Sequence, residues 1–199
     1  LQTHTVALVS TGRPAGVATF PVGKDSKPDE AELEKVITGY ALNAARIVCF
    51  DNVKGAISGA TLERVLTAVD TIDLRVLGAN DQRTLPWSAT MMLSGNNVTT
   101  SDDMAQRILR SRLVSRREDP RSRPAVTFLY PDLLDAIRQR RAQLVRAVLT
   151  ILRAYIVARE DGAEMPETGI MGSFEPWSRM VPPALAWAGG PDILRARPE

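Results

Sequence analysis

Arg46–Asn52 reads RIVCFDN and Ser88–Asn97 reads SATMMLSGNN. Each is a short apolar run that ends abruptly on polar residues. Ile47, Val48, Cys49 and Phe50 are too few for a helix and rich in β-branched side chains, so they read as a buried strand of a parallel sheet. Asp51 and Asn52 then stand at the carboxyl end of that strand, where open α/β sheets place their ligands. In the same way Thr90, Met91, Met92 and Leu93 lead into Ser94, Gly95, Asn96 and Asn97. The pair predicts an α/β fold with two strand ends able to hold a metal-bound phosphate or a water. The alternative is two ordinary core strands that happen to end on polar residues.

Composition bounds what can surround these strands. A chain of 199 residues suffices for one domain with a proper core and a small helical appendage. Its 44% hydrophobic and 24% charged content are those of a globular protein, and with only 5% aromatics the core must be aliphatic. The net charge of +2 says nothing about nucleic acid by itself. One cysteine excludes an intramolecular disulfide and a multi-cysteine zinc site. Cys49 lies inside the apolar run, where a buried, inert thiol is expected, and a reducing cytoplasm fits. The single histidine, His4, has no second histidine at ligand spacing and reads as non-catalytic. No signal peptide is expected, and no apolar run approaches the roughly 18 residues of a membrane span, so no membrane association is expected.

Outward from the first run, Asp29–Ala45 reads as a helix capped by Asp29, with Leu33, Val36, Ile37, Tyr40 and Ala41 at helical spacing. It leads directly into the Asp51 strand, the α-then-β order of a doubly wound sheet. Ahead of it, Gln2–Ser10 has helical potential and Thr11-Gly12-Arg13-Pro14 stops it, while Ala15–Pro28 reads as a surface loop. Downstream, Ser58–Val69 is amphipathic at helical period, and Ile72–Leu77 alternates like a strand with Asp73 and Arg75 on its solvent face. The polar stretch Gly78–Thr84 follows.

Beyond Asn97, a short helix is expected within Thr99–Met104, with Ser101 as its N-cap. Then comes a basic passage with Arg107, Arg110, Arg112, Arg116, Arg117, Arg121 and Arg123. Arg107–Ser115 reads partly as a strand or a strand-ending turn. Such a block is ordinarily a solvated or interacting surface. A helix is expected over Pro131–Arg138 with proline at its first position, continuing bent or unbroken through Leu144, Val148, Leu152 and Ile156. Asp161–Gly172 reads as a linker, and Phe174–Ala188 as a last helix that Pro182-Pro183 kinks or interrupts.

Two strands ending in Asp51-Asn52 and Ser94-Gly95-Asn96-Asn97 look like the Walker B and sensor-1 elements of a ring-forming P-loop ATPase. More narrowly, the chain resembles the ATPase domain of primase–helicase proteins from phages and integrated elements, relatives of superfamily 3 helicases and AAA+ motors. The ordered set of motifs carries the likeness, which runs from the first helix to about Ala188. It implies a mostly parallel P-loop NTPase-like sheet flanked by helices over 1–125, and a C-terminal helical subdomain over 126–199. The phosphate-binding loop G-x-x-x-x-G-K-[ST] is absent from the 199 residues, so the resemblance implies a partial core whose first helix is the one that follows that loop.

The resemblance also implies roles. Asp51 would hold Mg²⁺ through water. Asn52 stands where a second acid is usual and would orient the attacking water. Asn96, helped by Asn97, would bond the γ-phosphate of ATP or the lytic water. Met104-Ala105-Gln106-Arg107 is similar to a segment that presents an arginine at the subunit boundary, making Arg107 an arginine finger and Arg112 a second trans or sensor arginine. The alternative for both is a salt bridge with Asp102, Asp103 or Glu118. Lys54 and Arg83 would touch single-stranded DNA, or else are solvated. The implied activity is that of an ATP-driven DNA helicase or primase–helicase motor in phage or mobile-element replication, working as a homo-oligomeric ring in the cytoplasm. The competing class is a non-enzymatic DNA-binding or oligomerisation module with a decayed nucleotide site, which the missing loop and Asn52 favour.

Overall fold

The computed structural model describes residues 2–24, 27–76, 82–113, 124 and 127–195. In chain order its elements are α1 (Gln2–Thr11), β1 (Val17–Thr19), α2 (Glu30–Leu42), β2 (Ile47–Asp51), β3 (Ala56–Ile57), α3 (Ala60–Thr67), β4 (Thr71–Arg75), β5 (Gln82–Pro86), β6 (Thr90–Leu93), β7 (Thr99–Thr100), α4 (Asp102–Ala105), α5 (Leu133–Glu160), α6 (Glu175–Ser178) and α7 (Val181–Trp187). The fold is mixed α/β. Two compact units form, one spanning Arg13–Arg107 and the other joining His4–Gly12 to the chain from Ile108 onward.

In the first unit β2 lies between β1 and β6 in a parallel three-stranded sheet. Its Val48, Cys49 and Phe50 are fully buried, as an apolar run covered on both faces requires. Phe20, just past β1, meets Phe50 edge to face with ring centroids 5.3 Å apart. From α2, Leu33, Ile37 and Ala41 are buried. That helix starts as expected, with the Asp29 carboxylate accepting from the Glu32 N–H at 3.1 Å. Its neighbour Glu30 does a second job: its carboxylate accepts from the Thr61 N–H at 3.0 Å and so caps α3, whose own N-cap is a glycine. Gly59 has φ +121°, where any other side chain is strained, and a Cβ there would displace that Glu30 carboxylate.

β4 and β5 form a separate antiparallel pair. Ile72 and Leu74 point inward, while Thr71, Asp73 and Arg75 are exposed, the alternation expected of a half-buried strand. Thr84 donates to Asp73 across the pair at 2.5 Å. Behind it, the buried Trp87 indole donates to the Val65 carbonyl at 3.1 Å.

In the second unit α1 ends at Thr11, and the Arg141 guanidinium of α5 donates to the Leu8 and Ser10 carbonyls at 3.1 and 3.2 Å. A cation on the last carbonyls of a helix opposes the negative end of its dipole. α5 is capped by Asp132, which accepts from the Asp135 N–H at 2.9 Å. Near its other end Tyr155 packs edge to face on Trp187 of α7, centroids 6.3 Å apart. The fully buried Ser178 hydroxyl accepts from the Met171 N–H at 3.0 Å, tying α6 to the preceding loop. His4 lies on α1, half-buried.

Several expectations change. The surface loop over Ala15–Pro28 contains β1, too short to show a period and half-exposed at the sheet edge. Gln82–Thr84, the end of the polar stretch, belongs to β5, where pairing with β4 satisfies its backbone. Pro131 precedes the α5 cap instead of opening the helix, and α5 runs unbroken for 28 residues. No strand forms between Arg107 and Leu113. Phe174–Ala188 divides into α6 and α7, with Pro182-Pro183 in the first turn of α7, where missing N–H groups cost nothing. Ser101 takes the N-cap position of α4, yet its hydroxyl makes no capping bond. Residues 77–81, with Arg116, Arg117, Glu118, Arg121 and Arg123, lie outside the described residues. Among the described residues no helix is long and apolar enough to cross a membrane.

Candidate active site

Parallel pairing carries all three strands to a common carboxyl edge, and register decides what meets there. Thr19 stands opposite Asp51 on one side, and Phe50 stands opposite Leu93 on the other. The ladder continues past the strands: Ser94 N–H donates to the Phe50 carbonyl at 2.9 Å, and Val53 N–H donates back to the Ser94 carbonyl at 2.8 Å. Asp51 and Ser94 are thereby adjacent. The Ser94 hydroxyl donates to Asp51 Oδ1, which also accepts from the Asn52 N–H at 2.9 Å. Two donors on one carboxylate oxygen fix the orientation of the acid.

The chain then leaves both strands in step. Asn52 and Asn97 sit at φ 54° and 53°, a left-handed conformation that asparagine tolerates better than most residues. Val53 is buried beneath the turn. Gly95 passes so close that an added Cβ would lie 2.3 Å from the Val53 carbonyl oxygen and 2.5 Å from Val98 Cγ2. Only glycine fits. The two segments pair once more as β3 and β7, again parallel. Two doubly stitched loops therefore present Asp51, Asn52, Lys54, Asn96 and Asn97 as an exposed rim.

The rim separates the amides by cause. Backbone conformation accounts for Asn52 and Asn97 as residue types. Asn96, next to Asn97 in its loop and exposed, does not share that left-handed conformation. β7 leads through Ser101 into α4, anchored by fully buried Met104, and the Arg107 N–H donates to the Met104 carbonyl at 3.0 Å. Arg107 itself is half-buried, and among the described residues no ion pair joins it to Asp102 or Asp103. Arg83 is exposed on β5, opposite Leu74. Arg112 is exposed and belongs to the second unit.

No group of three acidic, histidine or cysteine side chains that could cage a bare metal occurs among the described residues. One carboxylate with a hydroxyl and side-chain amides fits a hard cation that brings phosphate oxygens and waters of its own. The bond from Ser94 to Asp51 is not implied by the place of Ser94 after an apolar run. Nothing local signals it, because it depends on pairing across more than 40 positions. Comparison with protein-family models, with curated proteins and with solved structures gives no match.

Proposed function

We propose that this rim is part of an ATP-hydrolysing site, and that the chain is a portion of a DNA helicase or primase–helicase motor of the P-loop, AAA+ type that acts on single-stranded DNA as a homo-oligomeric ring in phage or mobile-element replication. The observation that carries the reading is the pair Asp51 and Ser94, hydrogen-bonded at the carboxyl ends of adjacent parallel strands with Asn96 one turn beyond. In this reading Asp51 and Ser94 would hold Mg²⁺ through water, and the ion would neutralise charge on the transferred phosphoryl group. Asn96 positions the γ-phosphate or the attacking water, with Asn97 beside it. Asn52 orients that water without accepting its proton, which suits a reaction governed by positioning and electrostatics. Arg107 reaches a neighbouring protomer's phosphate, with Arg112 as a second such arginine, and Lys54 and Arg83 touch the DNA backbone.

A second reading, a DNA-binding or oligomerisation module without turnover, is favoured by one specific observation. Asn52 has a purely conformational reason to be asparagine, so its amide need not serve chemistry. The two readings separate in a titration of the chain with a fluorescent ATP analogue and Mg²⁺. The motor reading expects Mg²⁺-dependent binding that Asp51→Ala weakens by about tenfold, with single-strand affinity raised by the analogue. It also expects Arg107→Ala to abolish turnover while sparing binding, in a protein that carries this chain with a phosphate-binding loop. Salt-dependent single-strand binding indifferent to nucleotide would leave the module reading.

A further inference from the structure

α5 is about 42 Å long, and its apolar stripe is covered at both ends but not between them. Ile137 and Tyr155 are buried at 6% and 3% exposure. Val148 follows Ile137 by eleven residues and precedes Tyr155 by seven, so at 3.6 residues per turn all three lie on one face. Val148 is nevertheless 51% exposed and its neighbour Leu149 60%. No residue from Ala142 to Thr150 is buried, and Leu144 and Val145 on the same side are only half-buried. The stripe is therefore continuous in sequence and open over more than two turns in space. An aliphatic strip of this kind is a helix-docking surface when a partner of matching pattern exists.

Charge selects the partner. Between Ala136 and Arg159 the helix carries six arginines and no acid. Arg141 is engaged on the α1 carbonyls and Arg159 stacks on Tyr155. Arg146 and Arg153 stand three residues before and four after Leu149, so they border the open strip on its Leu149 side, with Arg138 further along that side; all three are exposed and none is ion-paired among the described residues. A second copy of this helix would set arginines against arginines in either direction, which works against self-pairing. Nucleic acid would satisfy the arginines but leave Val148 and Leu149 uncovered. We propose that the open middle of α5 binds an acidic amphipathic helix of a partner protein, whose apolar face covers Val148 and Leu149 and whose flanking carboxylates meet Arg138, Arg146 and Arg153. The inference does not depend on the nucleotide reading.

The test titrates the full chain into a labelled designed helix of about three heptads, with leucine at the core positions and glutamate on the flanks. A lysine-flanked twin and a mixed-sequence single-stranded oligonucleotide serve as the contrasting probes. Binding of the glutamate helix is expected to weaken about tenfold in Leu149→Gln, an exposed position whose change leaves the circular dichroism unaltered. Arg146→Glu with Arg153→Glu is expected to reverse the preference toward the lysine helix. Four results would overturn the proposal. They are equal binding of both helices, no binding of either, an oligonucleotide that competes with the glutamate helix and is released by the arginine changes while ignoring Leu149→Gln, and a wild-type dimer in sedimentation that Leu149→Gln dissociates.

Discussion

The sheet rim of the first unit and the middle of α5 in the second are both exposed, yet they are built on opposite terms. At the rim, polar groups stand on a backbone held by ladder bonds on either side, with Val48, Cys49 and Phe50 packed solid behind them. In α5 the backbone satisfies itself within the helix, and the uncovered groups are apolar. The first arrangement suits a preorganised polar ligand, because the donors and the acid are oriented before anything binds. The second suits a macromolecular partner, because uncovered aliphatic area gains free energy only when another surface removes it from water.

The sharpest way to break this contrast is to truncate one apolar side chain in each region. Phe50→Ala should cost about 4 kcal/mol, since it removes a fully buried ring and its contact with Phe20. Leu149→Ala should change stability by no more than about 0.5 kcal/mol. Urea unfolding of both variants decides the matter, and a comparable loss at Leu149 would mean that α5 is covered after all.

A smaller effect tests the rim alone. Gly95→Ala places a methyl group into the Val53 carbonyl and should cost about 2 kcal/mol, with the loops pushed apart. Denaturation together with Mg²⁺–nucleotide titration would read both consequences. A neutral outcome at Gly95 would show that the two loops are not locked, and the preorganisation argument would lapse.

The smallest effect concerns what lies behind the rim. Burial raises the Tyr40 hydroxyl above its ordinary 10.0, and the neighbouring Cys49 adds to the rise. The folded chain therefore holds this proton at a pH where the unfolded chain releases it. Stability from this group is complete below about pH 10 and is lost as pH climbs through the raised value. Melting from about pH 9 to about pH 11 should show a shallower decline in Tyr40→Phe than in the wild type. Parallel declines would mean that Tyr40 is as solvated in the fold as in the open chain.

Much of the framework was legible residue by residue. The β-branched run Ile47–Phe50 became β2, the Asp29 cap opened α2, and Thr90–Leu93 became β6. Asp51, Asn52, Asn96 and Asn97 all stand at strand ends, as their place after apolar runs implied. Beyond such local patterns legibility stops. β1 is three residues long and shows no period, and Pro131 sits one residue before the cap that opens α5.

The sequence by itself determined where the central strands lie, where they stop, and which polar groups stand at their ends. These depend on neighbours within a few positions: backbone preference, side-chain alternation and capping. Only the tertiary structure decided that Ser94 bonds Asp51, that Gly95 must be glycine because Val53 passes beneath it, and that Glu30 caps a helix thirty residues away. It alone also decided that the apolar stripe of α5 is closed at its ends and open at its middle. The physical reason is the same in each case. Register and cover are properties of segments distant in the chain, and no local pattern encodes which of them will meet.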